Sequence, residues 1–379
     1  MTTGIAFIGT GFVADYYMTT LANHPGLALA GVFDRDPARL RQFCGHWKAK
    51  AYPDVAALLA DPAVAIVVNL TTPESHYPVN RAALTAGKHV YCEKPLAMEV
   101  AEAAELVALA AARGLVLASA PANALSDAHA HCAALLASGV IGTPRLAYAE
   151  MEDGPVFRDN WRSWKSRSGA PWPGVHEFEI GCTLEHAGYA TGWLVSLFGP
   201  VDHVAAFSAL TFPDKGPGTE GLRLAPDFST GCLSFRSGLT ARLTCGLAAP
   251  RDRSLTIVGD GGVLVVRDLW DNRSAIHVER WGTRKPLLHR VFERLQRSLG
   301  RTFPLRLTAG RAVPYPEKAR PIALPAYPSR IDFVRGIAAQ AEAIAAGRAP
   351  VFSGTMALHL TDIVLALNAG LADHRPTSL

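Results

Sequence analysis

The stretch that decides the fold is Ile5-Ala6-Phe7-Ile8-Gly9-Thr10-Gly11-Phe12-Val13-Ala14, near the start of the chain. A short apolar run, typical of a buried parallel strand, leads here into a helical pattern. Gly9 permits a tight turn, and Gly11 lets backbone N–H groups approach a pyrophosphate at the positive end of the helix. The pattern predicts a dinucleotide-binding turn rather than a plain strand-to-helix connection. Its expected cofactor contacts are Gly9, Thr10, Gly11, Phe12 and Val13.

The second predicted strand ends on an acidic residue, Asp34, twenty residues after Ala14. A carboxylate at this point can hydrogen-bond both ribose hydroxyls and repel a 2′-phosphate, which favours NAD. The neighbouring Arg35 could instead bind a 2′-phosphate, so NADP stays open as the alternative. Asp34 and Arg35 are both predicted cofactor contacts.

Strand and helix patterns alternate up to about residue 121 and predict a doubly wound parallel sheet, a Rossmann domain over residues 1–122. In such sheets ligands bind beyond the carboxyl ends of the strands. The residues that follow two of these strands, and that we expect near the nicotinamide, are Thr71, Thr72, Pro73, His76, Glu93 and Lys94. The alternative for the residues after the first of these strands is helix capping.

Beyond this point, over residues 123–379, strand-like segments follow one another closely and are separated by turn signals such as Gly259-Asp260-Gly261-Gly262. This spacing predicts a second domain with a large, mainly antiparallel open sheet. One strongly helical stretch, Gly181 to Phe198, interrupts it. The fold class is therefore an α/β domain followed by an α+β domain.

Composition limits the class of partner. The chain has 379 residues, 49% hydrophobic and 18% charged, with a formal net charge of +4. This ordinary balance favours a small-molecule substrate over nucleic acid. The first strand begins too early for a signal peptide, and no apolar run reaches transmembrane length. We expect a cytoplasmic protein with no membrane partner.

Cysteine and histidine spacing predicts neither disulfides nor a metal site. The six cysteines include no C-x-x-C pair, and we interpret them as reduced core residues. His129 and His131 are two positions apart and would not share a helix face. With no H-E-x-x-H pattern present, we expect no metal.

Between Arg280 and Arg320 basic residues are dense and acids scarce. The basic residues in this stretch include Arg284, Lys285, Arg290, Arg294, Arg297, Arg301, Arg306 and Arg311. One interpretation is a solvated, poorly ordered insertion. The other is a clamp for phosphate groups of a substrate or for an acidic partner.

Several motifs together resemble the glucose-fructose oxidoreductase, inositol dehydrogenase and rhizopine-catabolism (Gfo/Idh/MocA) family. They are the glycine turn at 7–11, the loop 71–76, Tyr91-Cys92-Glu93-Lys94-Pro95-Leu96-Ala97, and a helix that begins near Glu185. The resemblance implies a Rossmann domain followed by an antiparallel sheet that often mediates homodimers or homotetramers. It also implies sugars, inositols or sugar nucleotides as substrates.

The resemblance makes Lys94 the central catalytic residue, because the family relies on the lysine of its Glu-Lys-Pro motif. Removing a hydride from a secondary alcohol needs a group that takes or orients the hydroxyl proton. A lysine beside a cationic nicotinamide in a partly desolvated cleft is expected to have a lowered pKa. Glu93 would then set the position and charge of the ammonium.

The family's second motif, an Asp with a Gly two residues on and a His four residues on, is altered here to Glu185, Ala187 and Tyr189. An i, i+4 spacing places Glu185 and Tyr189 on one helix face. A tyrosine at the last position resembles the branch that contains glucose-fructose oxidoreductase, which suggests Tyr189 as the acid–base residue. His186 is the alternative, although it points about 100° away around the helix.

A loop upstream of this helix has three tryptophans among cations. Tryptophan faces stack on sugars, and arginine reaches hydroxyls or phosphates. Such tryptophans are equally typical of a subunit interface. The predicted substrate contacts are Asn123, Trp161, Arg162, Trp172, Glu185 and Tyr189.

The sequence thus predicts an NAD(P)-dependent oxidoreductase that moves a hydride between nicotinamide and a secondary alcohol or ketone of a sugar, cyclitol or sugar-derived metabolite. Lys94 and Tyr189 handle the proton, while Glu93 and Glu185 orient them. One alternative is an NAD-dependent enzyme that cleaves glycosides by transient oxidation and elimination. The other is a ligand sensor without catalysis.

Overall fold

The N-terminal part of the chain folds around a parallel sheet. The computed structural model describes residues 2–283, 287–302 and 310–379. The strands of the first sheet are β1 (Thr3–Ile8), β2 (Leu27–Phe33), β3 (Ile66–Asn69), β4 (His89–Cys92) and β5 (Leu117–Ser119). Within the described ranges they pair in the order β2-β1-β3-β4-β5, all parallel. The predicted Rossmann sheet is confirmed, and its strand order reverses between β1 and β3.

Helices join these strands: α1 (Phe12–Leu21), α2 (Pro37–Trp47), α3 (Val55–Ala60), α4 (Pro73–Thr85) and α5 (Val100–Ala112). In the sequence, Asp36 followed by Pro37 predicts an N-cap with proline at the first helical position, and α2 begins there. The Asp36 carboxylate accepts hydrogen bonds from the backbone N–H groups of Ala38 at 2.9 Å and Arg39 at 3.3 Å. Pro37 occupies the first turn, where a missing N–H costs nothing.

A larger sheet dominates the rest of the chain. Its strands are β6 (Pro144–Glu152), β7 (Val201–Ala209), β8 (Phe228–Phe235), β9 (Thr240–Gly246), β10 (Leu255–Gly259), β11 (Gly262–Val266), β12 (Ile276–Arg280) and β13 (Arg311–Ala312). In the part of the chain that the structure describes, their order is β13-β12-β11-β10-β6-β9-β8-β7. Neighbouring strands are antiparallel except β6 and β9, which are parallel. The predicted, mainly antiparallel sheet is confirmed.

The remaining helices are α6 (Asp127–Ala137), α7 (Gly174–Ile180), α8 (Gly188–Phe198), α9 (Leu287–Leu299), α10 (Arg335–Ala345) and α11 (Gly354–Ala369). A π-helical turn, Thr183–Ala187, runs directly into α8. Among the described helices, none combines the length and the apolar character needed to cross a bilayer.

The end of the chain packs against both sheets. Helix α11 contacts α5 of the first sheet layer and β7 of the second sheet, and its Ala357 and Leu358 belong to the core beneath the parallel sheet. Thr361 Oγ1 accepts the backbone N–H of Leu96 at 3.1 Å, and Gln340 on α10 donates to the carbonyl of Val90 at 2.9 Å. The division at residues 122 and 123 therefore stays a prediction, because the C-terminal helices also stabilise the first sheet.

The basic stretch contains a helix that the sequence reasoning did not predict. Residues 287–299 form α9, whose apolar side chains are largely exposed. Arg284, Lys285 and Arg306 lie outside the described residues. The described part therefore has regular structure, which differs from the expectation of a poorly ordered insertion.

Candidate active site

The glycine turn after β1 has the backbone geometry of a phosphate cradle. Gly9 has φ +100°, and a Cβ there would lie 2.5 Å from the carbonyl oxygen of Leu70, so the turn needs glycine. Gly11 is the N-cap of α1, no side chain caps it, and no atom lies within 4 Å of where its Cβ would be. The first N–H groups of α1, including those of Phe12 and Val13, are thus available to a ligand, and the turn fits a pyrophosphate.

The Asp34 carboxylate accepts more hydrogen bonds from the protein itself than the sequence suggested. Its Oδ2 accepts from the backbone N–H of Thr10 at 2.8 Å and from the Thr10 hydroxyl at 2.9 Å, while Oδ1 accepts from the N–H of Asp36 at 2.9 Å. The carboxylate therefore ties the glycine turn to β2, besides any contact with a ribose. Arg35 is exposed, whereas Arg39, missed in the sequence, lies 3.7 Å from Asp34 Oδ2.

The loop after β3 lies at the strand-order reversal, where ligands of open sheets bind. Thr72 occupies the N-cap position of α4 without a side-chain capping hydrogen bond, and Pro73 is the first residue of the helix. The Thr71 hydroxyl donates to Asn69 Oδ1 at 2.7 Å. His76 is fully buried, with Nδ1 2.6 Å from the Pro95 carbonyl and Nε2 3.1 Å from the Thr71 carbonyl. Both His76 nitrogens are thus engaged inside the protein, and the ring joins two loops rather than offering a free polar atom.

Glu93 and Lys94 leave β4 at the same edge of the sheet. Glu93 is 6% exposed, and its Oε1 accepts from the Tyr17 hydroxyl at 2.6 Å. Its Oε2 accepts from the backbone N–H of Lys94 at 3.1 Å. Glu93 thereby links Tyr17 on α1 to the backbone at Lys94.

The Lys94 ammonium reaches across to the helix of the second domain. Nζ donates to Glu185 Oε2 at 2.8 Å and lies 5.6 Å from the centroid of the Tyr189 ring. Gly188 lies beside the lysine stem, and a Cβ there would make an ordinary van der Waals contact with Lys94 Cδ at 3.8 Å. Lys94 therefore contacts both Glu185 and Tyr189, the two residues that the family resemblance grouped with it.

The charge state of Lys94 differs from the sequence-based expectation. Burial opposes the charge, but Glu185, Tyr189 and Glu93 outweigh it and raise the pKa of Lys94 above its ordinary value. Burial likewise opposes the charge on Glu185, yet Lys94 holds the pKa of that carboxyl below normal. The stability that this ion pair contributes is lost in two ways. It is lost when Glu185 is protonated, below the usual pKa range of a carboxyl, and when Lys94 loses its proton, above the usual pKa range of a lysine. The protein groups around Lys94 thus favour its charged form, whereas the sequence-based expectation concerned a lysine beside a cationic nicotinamide.

A polar cluster next to Tyr189 was not found in the sequence. His186 Nε2 lies 3.3 Å from Asp153 Oδ2 and 3.4 Å from Glu177 Oε1. The fully buried Arg253 guanidinium stacks on Trp270 at 4.4 Å, and Trp270 lies 4.7 Å from the Tyr189 ring. The cluster depends on the pairing of β6 with β10, which spacing along the chain does not reveal.

Protonation in this cluster follows from burial. Burial, with the nearby charge of Glu185, raises the pKa of Glu177 well above its usual range. Burial also lowers the pKa of His186, although Asp153 acts in the opposite direction. Burial thus favours the neutral form of both the Glu177 carboxyl and the His186 imidazole.

Several buried polar atoms of this region have no hydrogen-bond partner among the described residues. They are Asn123 Oδ1, Asp153 Oδ1, Glu177 Oε1, His186 Nδ1, Arg253 Nε and Nη1, and Trp270 Nε1. Buried polar groups are normally paired, because an unpaired one costs about 1–3 kcal/mol. Asp153 Oδ1 and Arg253 Nη1 face each other as an ion pair at 3.7 Å, and the other atoms leave hydrogen-bonding capacity near Tyr189.

The predicted substrate contacts are not all in this cluster. Asn123 is, since its Nδ2 donates to the carbonyls of Tyr189 and Leu269, both at 3.1 Å. Trp161 is 5% exposed and packs edge-on against Trp172 and Phe178. Its face is covered by the Arg162 guanidinium at 4.0 Å, so Trp161 is a core aromatic rather than an open platform for a sugar.

Residues 161–173, called the strap below, cross from the second domain to α1. The buried Asp15 on α1 holds the strap: Oδ1 accepts from the Ser168 N–H at 3.0 Å, and Oδ2 accepts from the hydroxyls of Ser166 and Ser168. Trp47 Nε1 also donates to Oδ1 at 2.6 Å. The strap is thereby fastened to the same helix whose N-terminus forms the phosphate cradle.

Replacing Asp15 with alanine is expected to release the strap, because four donors lose their shared acceptor. We expect about tenfold weaker dinucleotide binding and faster trypsin cleavage at Lys165 or Arg167. Fluorescence titration with NADH and timed proteolysis measure the two effects. Asp54→Ala is the matched control, since Asp54 only caps α3; equal behaviour of the two variants would contradict the assignment.

Among the described residues, no group of three His, Cys, Asp or Glu side chains is arranged to hold a metal ion.

The fold and the glycine turn define a dinucleotide-binding protein, and comparison with known proteins shows its family. The chain belongs to the Gfo/Idh/MocA family: residues 3–120 match its "Oxidoreductase family, NAD-binding Rossmann fold" and residues 129–265 its C-terminal domain. The expected nicotinamide dinucleotide cofactor is confirmed at the level of NAD(P).

Relatives of this chain are distant. It is 27% identical over 259 residues to an uncharacterised oxidoreductase of Synechocystis, covering 68% of this chain and 66% of that protein. A trans-1,2-dihydrobenzene-1,2-diol dehydrogenase of Mus musculus is 25% identical, with 69% of this chain and 74% of that protein covered. The chain thus spans slightly less than two thirds of the Synechocystis relative.

The structural similarity to two solved structures covers nearly the full length of both chains. An Agrobacterium radiobacter oxidoreductase, in complex with NAD⁺, L-tartaric acid and magnesium, matches with a TM-score of 0.73 at 18% identity, covering 99% of this chain and 98% of that one. UDP-N-acetylglucosamine 3-dehydrogenase from Acidithiobacillus ferrooxidans matches with a TM-score of 0.70 at 20% identity, covering 98% of both chains.

Proposed function

We propose that this protein is an NAD(P)-dependent dehydrogenase or reductase that acts on a CH–OH or C=O group of a sugar, cyclitol or sugar-derived metabolite. The observation that carries the proposal is the Lys94 ammonium, held 2.8 Å from Glu185 and 5.6 Å from the Tyr189 ring at the carboxyl edge of the parallel sheet. When bound, a nicotinamide dinucleotide supplies the hydride acceptor for an alcohol or the hydride donor for a ketone.

Each site residue has a role in this proposal. The Tyr189 hydroxyl exchanges the proton of the substrate oxygen, and the Lys94 ammonium stabilises the negative charge on either oxygen. Burial raises the pKa of Tyr189, and Lys94 opposes that rise, so the phenol depends on Lys94 to give up its proton. Glu185 and Glu93 keep the ammonium in position.

The substrate class rests on the polar cluster beside Tyr189. Arg253 and Glu177 provide donors, Asp153 provides an acceptor, and Trp270 provides an apolar face. A polyhydroxylated ring presents alternating hydroxyl and C–H surfaces that match this combination. The trans-1,2-dihydrobenzene-1,2-diol and UDP-N-acetylglucosamine substrates in the names of two relatives are likewise cyclic secondary alcohols.

The proton-transfer residue is tested by comparing two variants. Tyr189→Phe is expected to lower kcat about a hundredfold, because it removes the exchangeable proton and little else. His186→Gln is expected to change KM more than kcat, since His186 contacts Asp153 and Glu177 in the recognition cluster. Steady-state kinetics at several pH values measure both; the reverse pattern would make His186 the acid–base residue.

The proposed function is tested by titration with NAD and NADP at about 0.15 M salt, which screens surface charges. A panel of free sugars, inositols, sugar nucleotides and glycosides then follows, with reduced nicotinamide measured by absorbance. Net reduction or oxidation of nicotinamide supports the proposal. Cleavage of a glycoside without net change in nicotinamide would establish the elimination mechanism instead, and failure to bind either dinucleotide would favour the sensor.

We further propose a homodimer or homotetramer in the cytoplasm, which follows the family resemblance. Light scattering of the purified chain tests the oligomeric state.

A further inference from the structure

Helix α9 (Leu287–Leu299) has an aliphatic face and an adjoining basic face. At about 100° per residue, its aliphatic side chains fall within one arc, and its arginines fall outside that arc. The aliphatic residues and their exposed fractions are Leu287 72%, Leu288 66%, Val291 47%, Leu295 48% and Leu299 57%. A helix face this apolar is normally buried against a partner.

The face of α9 that adjoins this aliphatic arc is positively charged. Arg290, Arg294 and Arg297 project from it, and its single acidic residue, Glu293, lies 3.8 Å from Arg297. Trp281, 55% exposed, follows the end of β12 just before the helix. A basic face, an aliphatic face and a nearby exposed tryptophan together are typical of helices that lie in the headgroup region of a membrane.

The charge of the chain is distributed unevenly. Positions 280–320 contain eleven lysines and arginines against two glutamates, a net charge of +9, whereas the whole chain has +4, so the remaining residues carry −5. An anionic surface would therefore attract this segment and weakly repel the rest of the molecule. This asymmetry orients the protein with α9 towards such a surface.

We propose that α9 docks the protein reversibly on an anionic lipid surface. The aliphatic face enters the boundary between headgroups and acyl chains, and the arginines pair with lipid phosphates. Each Lys or Arg near such a surface adds to the electrostatic attraction, and the exposed leucines add a hydrophobic contribution that charge alone does not provide.

A second copy of the chain fits this helix less well. Two-fold pairing through the aliphatic face would bring two helices of the same positive charge together. A lipid surface instead offers both an apolar interior and negative charge. The sequence-based expectation of no membrane partner considered only spanning segments, and it does not apply to a helix lying in the interface.

Flotation of the full-length protein with vesicles tests the proposal. We expect binding to phosphatidylcholine vesicles that contain about a third phosphatidylglycerol, and none to phosphatidylcholine alone. Leu288→Glu/Leu295→Glu is expected to weaken binding at least about tenfold. Val351→Glu/Leu371→Glu, which makes the same charge change at two exposed aliphatic residues elsewhere, should bind like the wild type.

Three outcomes would overturn the proposal. The first is that the wild type does not float with anionic vesicles. The second is that the α9 variant binds as tightly as the wild type, which would leave only non-specific charge attraction. Alternatively, without vesicles, the α9 variant would form a smaller oligomer than the wild type in light scattering, making α9 a subunit contact. NADH binding by every variant, measured in parallel, verifies folding and keeps the result independent of the proposed enzymatic function.

Discussion

Lys94→Ala is expected to lower kcat by about a thousandfold and to leave the dissociation constant for NAD within a few-fold of the wild type. Among the described contacts, the Lys94 ammonium lies next to both the Glu185 carboxylate and the Tyr189 ring. Its loss removes the positive charge that stabilises an alkoxide or phenolate, while the glycine turn that fits the pyrophosphate is untouched. Single-turnover and steady-state kinetics, with an NADH titration, measure the two quantities.

The control for this variant is Lys50→Ala, which removes a lysine from an ion pair with Asp61. The Lys50 side chain is 61% exposed. It should leave both kcat and cofactor affinity unchanged. A Lys94→Ala enzyme with wild-type turnover would refute the assigned role. Because Lys94 is held as a cation, we also expect Lys94→Arg to retain more activity than Lys94→Met.

The second large effect is expected on stability. Lys215 is 1% exposed, and its ammonium donates to the buried carboxylate Asp227 while lying 4.5 Å from the Phe157 ring. Lys215→Met would leave Asp227 buried with its charge unpaired, which costs about 3–5 kcal/mol. The midpoint of urea unfolding measures the loss.

A closely matched control exists for Lys215. Arg158 also lies over the Phe157 ring, at 5.3 Å, and pairs with Asp214, but both partners are more than half exposed. Arg158→Met should cost less than about 1 kcal/mol. The double variant Lys215→Met/Asp227→Asn should recover part of the lost free energy of unfolding. If Lys215→Met alone lost as little as Arg158→Met, the buried ion pair would not be needed for stability.

The parts of the fold that the sequence predicted well are those with local signals. The glycine turn, the Asp36-Pro37 helix start and the alternation of strands and helices depend on residues within a few positions of one another. Local backbone preferences and hydrophobic periodicity determine them. The exposed amphipathic helix α9 was missed because its arginines were considered as a charge run rather than at helical spacing.

The site was only partly predictable. Lys94 and Glu185 were paired through family motifs, whereas the contact itself joins residues 91 positions apart. The raised pKa of Lys94 was not foreseen, because it depends on three partners in one buried space. Likewise, the tryptophans of the strap pack on one another, and spacing alone does not distinguish such packing from an open platform.

The sequence by itself determined the dinucleotide turn, the family and the order of the two sheets, because these depend on short motifs and periodicity. The tertiary structure alone decided the raised pKa of Lys94, the polar cluster around Arg253 and Trp270, and the attachment of the strap to Asp15. Each of these brings distant segments together in a buried space. There, desolvation and the sum of neighbouring charges determine the chemistry, and neither can be calculated before the chain is folded.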